Sequence, residues 1–158
     1  MNRRLEAQKY IAQNRAAKFH YDVTARYEAG IVLRGSEVKA LREGRVDISE
    51  AYASVERGEV WVRQMSIASY PAARAFPHAE RGTRKLLLRA REIREIERAV
   101  LRERYTLIPL DLYFKDGWVK VTLGVARGKK AYDKRRAVIE REAERETAAI
   151  NRAYREPR

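Results

Sequence analysis

The stretch Leu110–Ala126, LDLYFKDGWVKVTLGVA, decides the fold. Leu110, Leu112 and Phe114 alternate with Asp111, Tyr113 and Lys115, and Val119, Val121, Leu123 and Val125 alternate on the way back. Between them stands Asp116-Gly117, the residue pair that suits a two-residue type I′ turn, in which both central residues take positive φ. A period of two on both sides of such a turn predicts an antiparallel hairpin with one apolar face. The opposite face then carries Trp118, Lys120 and Thr122. An aromatic beside a lysine on an exposed strand is what base stacking plus phosphate neutralisation requires. A tryptophan capping the end of a barrel is the other reading of Trp118.

Downstream, the hairpin runs into RGKKAYDKRR, residues 127–136, with six basic side chains against one acid, Asp133. Unpaired charges are too costly to bury, so this segment needs water or a polyanion. The apolar stripe that follows (Ile139, Ala143, Ile150, Tyr154) is too narrow to fold alone. Residues 127–158 are therefore expected to form a flexible basic tail.

Upstream, Ile93, Ile96, Val100 and Leu101 follow helical spacing and predict an amphipathic helix. Arg84 to Leu88 reads as a strand, with Arg84-Lys85 either extending a basic surface or protecting a sheet edge by charge. Tyr70 to Gly82 has two prolines and little periodicity and reads as a long loop. Ala51 to Val55 and Val60 to Val62 form a second hairpin through Arg57-Gly58. Ser36 is a fair N-cap for a short helix carrying Val38, Ala40 and Leu41, with Gly44 as its stop. Glu37 there either offsets the helix dipole or, near RNA, accepts hydrogen bonds from a base amino group or a 2′-hydroxyl. Tyr21, Val23, Ala25 and Tyr27 alternate, and Gly30 and Gly35 flank Ile31-Val32-Leu33 as at a barrel corner. Residues 1–17 read as a frayed or weakly helical leader. Six or seven short strands with flanking α-helices predict a mainly β fold, an oligonucleotide-binding-type closed β-barrel over residues 18–126.

Charge points the same way. The formal net charge is +13, from 35 Lys+Arg against 22 Asp+Glu. Residues 1–20 hold a net +4 and residues 127–136 a net +5, so the excess sits towards the ends. That asymmetry favours nucleic acid over an anionic membrane. No window reaches the roughly 18 apolar residues of a membrane span, and MNRRLEAQKYIAQNR lacks the apolar core of a signal peptide. Cysteine is absent, which removes disulfides and thiolate metal sites and fits a cytoplasmic protein. Only His20 and His78 titrate near neutrality, and no His-Glu-x-x-His spacing occurs. GVARGKK has three residues between Gly124 and Gly128 where a phosphate loop needs four, and Lys130 stands where Ser or Thr would hold magnesium. The expectation is a binding protein without cofactor or metal, not an enzyme.

Four blocks resemble the SmpB family, the protein partner of transfer-messenger RNA in bacterial ribosome rescue. They are YEAGIVLRGSEVKALREG (27–44), GEVWVRQMSIASY (58–70), TRKLLL (83–88) and LYFKDGWVKVTLGVARGKKAYDKR (112–135). The resemblance implies an oligonucleotide-binding-type barrel that holds the tRNA-like domain of that RNA and accompanies it into the empty A site of a stalled ribosome. It implies RNA contacts for Glu37, Leu87 and Lys120. The other side chains expected at the RNA are Lys18, Lys39, Arg42, Arg84, Lys85, Trp118, Arg127, Lys129 and Lys130. The tail block implies a tagging role for Gly128, Lys129, Lys130, Asp133, Lys134 and Arg135, with Tyr132 and Ile139 also expected to face the ribosome, the tail ordering as a helix along the vacant messenger channel beside the small-subunit decoding centre. The elongation GTPase that delivers tRNA is an expected partner through the RNA. Two places depart from the family pattern. FPHAERGTRK has Ala79 and Glu80 where the family has aspartate and proline, and Asn14-Arg15-Ala16-Ala17-Lys18 displaces one basic residue of the amino-terminal motif. Rivals of another class are a structural ribosomal protein, which would stay on translating ribosomes through a high-salt wash, and a phosphodiester-processing enzyme, for which clustered carboxylates are missing.

Overall fold

A computed structural model of the chain describes residues 9–69, 78–128 and 131–155. Nine strands and four helices occur in these segments: β1 (Lys9–Gln13), α1 (Arg15–His20), β2 (Tyr21–Ile31), α2 (Gly35–Arg42), β3 (Val46–Asp47), β4 (Tyr52–Glu56), β5 (Glu59–Arg63), β6 (Ser66–Ile67), β7 (Arg84–Leu87), α3 (Ala90–Arg102), β8 (Thr106–Lys115), β9 (Trp118–Gly128) and α4 (Ala131–Arg155). The fold is mainly β. Seven strands join in one antiparallel sheet in the order β1-β8-β4-β5-β7-β2-β9, and β8 also pairs with β9. The β4–β8 link is a single residue pair, Ala53 opposite Leu107. β3 and β6 form a separate two-stranded sheet that the sequence pattern did not signal, because each holds only two residues.

Both hairpins turn as their sequences predict. Arg57 and Gly58 have φ of 51° and 74°, and Asp116 and Gly117 have 52° and 79°. Val119, Val121, Leu123 and Val125 are buried in the main core with Ala29, Val60, Val62, Leu86, Ile96 and Leu112. Each such side chain contributes about 1.5–3 kcal/mol on burial. The β8 alternation is not continuous, however. A bulge between Pro109 and Asp111 leaves Leu110 without a partner and sends it into a second cluster with Ala17, Ile108 and Ala126. Gly124 makes room for it, since a Cβ there would lie 2.8 Å from Leu110 Cδ1.

Two expectations are corrected. Residues 9–17 are not a frayed leader: β1 pairs with Asp111–Phe114 of β8, and Asn14 caps α1. Buried Asn14 accepts the Ala17 N–H at 3.0 Å and donates to the carbonyls of Ile48 and Pro109 at 3.2 and 3.3 Å, which fastens the segment to the body. The sheet thus begins before residue 18, and β9 extends past residue 126 to Gly128. Ser36 is not the cap of α2. Arg34 holds that position, and the Glu37 carboxylate accepts its N–H at 3.0 Å, the return half of a capping box. At the other end the Arg45 and Gly44 N–H groups bond Ala40 and Leu41 carbonyls at 3.0 Å, a Schellman closure around the expected glycine. Ala131–Arg155 forms one helix, the shape expected of the tail once it lies on the ribosome. Its run of Ala, Glu and Arg has high intrinsic helix propensity. The loop expected over 70–82 is described only from residue 78.

Candidate nucleic-acid interface

Strand register sets one row of residues across the sheet, in which Tyr113 is buried and Tyr10, Leu87 and Lys120 reach the surface to differing degrees. Leu87 on β7 lies opposite Gly30 on β2, Gly30 opposite Lys120 on β9, Lys120 opposite Tyr113 on β8, and Tyr113 opposite Tyr10 on β1. Gly30 contributes no side chain. Leu87 and Lys120 therefore stand two strand spacings apart, about 10 Å, with the Leu87 side chain leaning over Gly30, where a Cβ would meet Leu87 Cβ at 3.3 Å. They border a recess of about 480 Å³ whose rim includes Glu28, Leu87, Arg89, Glu92 and Lys120. Leu87 is 52% exposed and forms an apolar wall. The recess offers a cation for a phosphate, an aliphatic surface for a sugar or base, and carboxylates that can accept from an amino group or a 2′-hydroxyl.

Glu28 was missed in the sequence. Its signal was parity: two residues before Gly30 on β2, it faces the same side and pairs with Thr122. The Tyr113 hydroxyl donates to it, as does Lys115 Nζ at 3.1 Å. The hydrogen bond from Tyr113, then those from Lys115, and the Lys115 and Lys120 charges hold its carboxyl below the usual range against the opposing effect of burial. Burial and the Glu28 hydrogen bond push the Tyr113 phenol up to about 12.

The other expected side chains fall in several places. Trp118 is 71% exposed at the hairpin tip, on the Lys120 face, which removes the reading of a barrel cap. Lys85 pairs with Glu59 at 3.0 Å in a half-exposed ion pair. Arg127 is exposed and stacks over the Tyr105 ring at 4.3 Å. Lys18 is exposed on α1, and Lys39 and Arg42 are exposed on α2. None of these enters the Leu87–Lys120 row. Lys129 and Lys130 lie outside the described residues. Gly128 ends β9, and Tyr132, Asp133, Lys134 and Arg135 fall in the first turns of α4, where Ile139 is 65% exposed.

Glu37 and Arg84 depart furthest from expectation. They form one buried ion pair, with side chains only 6% and 4% exposed. One Glu37 oxygen accepts from Arg34 N–H and the other from Arg84 Nε. The remaining guanidinium nitrogens donate to the carbonyls of Met65 and Gly82 and of Ala79 and Glu80, at 2.7 to 3.2 Å. Each Glu37 oxygen accepts one hydrogen bond and each Arg84 guanidinium nitrogen donates at least one within the fold, so both side chains hold the local structure together. Buried His78 completes the cluster. Its Nε2 faces the Ile67 and Ala68 carbonyls at 3.1 and 3.0 Å and so carries the proton, leaving Nδ1 to accept from Ser36 Oγ at 2.8 Å.

The outer face of the β-sheet presents a recess in which Arg89 and Lys120 stand against Glu28 and Glu92 beside exposed Leu87, a mixed polar and apolar binding surface on a chain of net charge +13. Comparison with known proteins makes this specific. The family model described as SmpB protein matches residues 11–153. An SsrA-binding protein of Geobacillus thermodenitrificans (strain NG80-2) is 47% identical over 94% of this chain and 94% of its own. One of Chlamydia pneumoniae is 50% identical over 90% of this chain and 95% of its own. A solved structure described as "tmRNA-SmpB: a journey to the center of the bacterial ribosome" matches with a TM-score of 0.64 at 43% identity, covering 76% of this chain and 85% of that one. The chain belongs to the SmpB family. Among the described residues no helix is long and apolar enough to cross a membrane.

Proposed function

We propose that this chain is the transfer-messenger RNA partner of trans-translation, a cytoplasmic binding protein without catalytic chemistry. Its sheet is an oligonucleotide-binding-type barrel, closed through the Ala53–Leu107 pair. The outer recess holds the tRNA-like domain, with Lys120 against a phosphate, Leu87 against a sugar or base, and Trp118 stacking at the hairpin tip. Glu37 and Arg84 keep the neighbouring loop in place. The protein accompanies the RNA, and through it the tRNA-delivering GTPase, into the A site of a stalled ribosome. There the tail, from Gly128 through Ile139, lies in the vacant messenger channel and reports that it is empty.

The observation that carries this reading is the juxtaposition of Leu87 and Lys120 across Gly30 in a chain of net charge +13. Its test is competition binding of the isolated tRNA-like domain against heparin, with Lys120→Ala and Leu87→Ala beside the native chain. The native protein should prefer the folded RNA. Lys120→Ala should weaken binding and flatten the log–log salt slope by about 0.7–0.9, one phosphate's worth. Leu87→Ala should weaken binding with the slope unchanged. A native chain that binds both polyanions equally would sink the reading.

A further inference from the structure

Helix α3 carries a second basic surface that neither the hairpin nor the tail accounts for. Ile93, Ile96 and Val100 turn inward against the core. On the opposite side Arg91, Arg94, Arg98 and Arg102 recur at spacings of three, four and four, all exposed, with 71%-exposed Leu101 among them. Arg91 has a partner, Glu95, at 3.4 Å, and Glu95 also accepts the Tyr27 hydroxyl at 3.0 Å. Arg94, Arg98 and Arg102 form no ion pair among the described residues. Like charges at i, i+4 are weakly destabilising in a helix, and here two such steps follow in series, with Glu97 the one carboxylate lining their groove. The helix dipole rewards Arg98 and Arg102 in its last turns, but not Arg94. A bound polyanion would remove the repulsion along the whole row.

We propose that this face of α3 is a phosphate rail for the same RNA that occupies the Leu87–Lys120 recess, and the inference rests on that reading. Two observations select this occupant. The rail is continuous with the recess, because Arg89, the N-cap of α3, and Glu92 in its first turn form part of the recess rim. Its charge and pitch also fit a phosphodiester backbone. Arg94 to Arg102 spans about 12 Å of helix, with a guanidinium every 6 Å or so. Guanidinium forks are suited to bidentate hydrogen bonding with phosphate oxygens. The open trough along Arg94, Arg98 and Arg102, about 330 Å³, is also lined by Leu101 and Glu97, so three guanidinium groups face one carboxylate there.

The test uses the full chain and the purified tRNA-like domain of transfer-messenger RNA. Affinity is measured across a salt series for the native protein, the double variant Arg94→Gln/Arg98→Gln, Lys120→Ala, and Arg57→Asn, which removes one charge at the β4–β5 turn. Glutamine keeps helix propensity, and the replaced side chains are exposed, so thermal melting should not change. The double variant should bind about tenfold more weakly, with a slope flatter by about 1.4–1.8, and Arg57→Asn should lose less than twofold. If the double variant matches the native chain in affinity and slope while Lys120→Ala is weakened, the rail is refuted and the recess stands. If the double variant keeps its RNA affinity but no longer engages ribosomes, the occupant is ribosomal RNA and the proposal is overturned. If the native chain shows no preference for this RNA at all, the functional reading itself falls.

Discussion

Glu37 and Arg84 stand 47 residues apart in sequence and meet where neither reaches solvent. From the sequence each was a surface group, one acid and one base in a chain rich in both. Nothing in local spacing reports that the strand carrying Arg84 will pack its guanidinium against α2. The energetics follow from burial. Glu37→Ala would leave Arg84 charged, buried and without its counter-ion, a loss of about 3–5 kcal/mol. Glu37→Gln keeps one acceptor oxygen, enough for either the Arg34 N–H or the Arg84 Nε but not both, so it should be destabilising too, by less than Glu37→Ala. Chemical denaturation of the two variants measures this order directly. Affinity for RNA should remain near native in Glu37→Gln, with an unaltered salt slope. A stable Glu37→Gln protein that binds RNA tenfold more weakly would instead make the carboxylate a direct contact.

At the level of elements, what was legible depended on length and register. The hairpins announced themselves through Asp116-Gly117 and Arg57-Gly58, because two-residue turns admit few residue pairs and fix the alternation on both sides. β1 did not, since KYIAQ is short, half polar and becomes a strand only because β8 offers it an edge. The bulge at Leu110 was also hidden, as an inserted residue leaves the composition of a strand unchanged while reversing its facing. The same sheet carries a link across three strands: Tyr113 on β8 reaches over β9 to Glu28 on β2. This link gives a pH signature with a definite sign. The Glu28 carboxyl is lowered in the folded state, so its contribution is present above the ordinary glutamate range and is lost as pH falls through the depressed value. The Tyr113 phenol is raised to about 12, so its contribution is complete below its ordinary value and is lost as pH rises through about 12. Tyr113→Phe should therefore cost about 1 kcal/mol at neutral pH, and the difference from native should shrink towards both extremes. Melting curves across pH settle it; a constant difference would mean that the hydroxyl does not pair with an ionised Glu28.

Across the whole molecule, the charge is divided more unevenly than the two ends suggest. Residues 131–158 hold eight basic against six acidic side chains, a net of +2, so most of the +13 belongs to the body and the short junction before α4. The α3 row, the recess and β9 lie in that body. Among the described residues of the tail helix, Val138, Ile139 and Ile150 are exposed, and Arg141 lies over the Phe19 ring at 5.2 Å. With these apolar side chains unburied, the helix draws on intrinsic propensity. It can fray and re-form without disturbing the sheet, and a surface that buries its apolar stripe would stabilise it. Grip and sensing are thus physically separable. Deleting residues 131–158 should lower affinity for the tRNA-like domain by no more than about threefold, because few of the phosphate-facing cations are removed. It should abolish tagging of stalled chains in a reconstituted translation system. Amide exchange in the intact free protein should be fast across α4 and slow in β9, then slow in both once the ribosome is bound. A truncated chain that loses RNA affinity and tagging together would show that α4 belongs to the RNA grip itself.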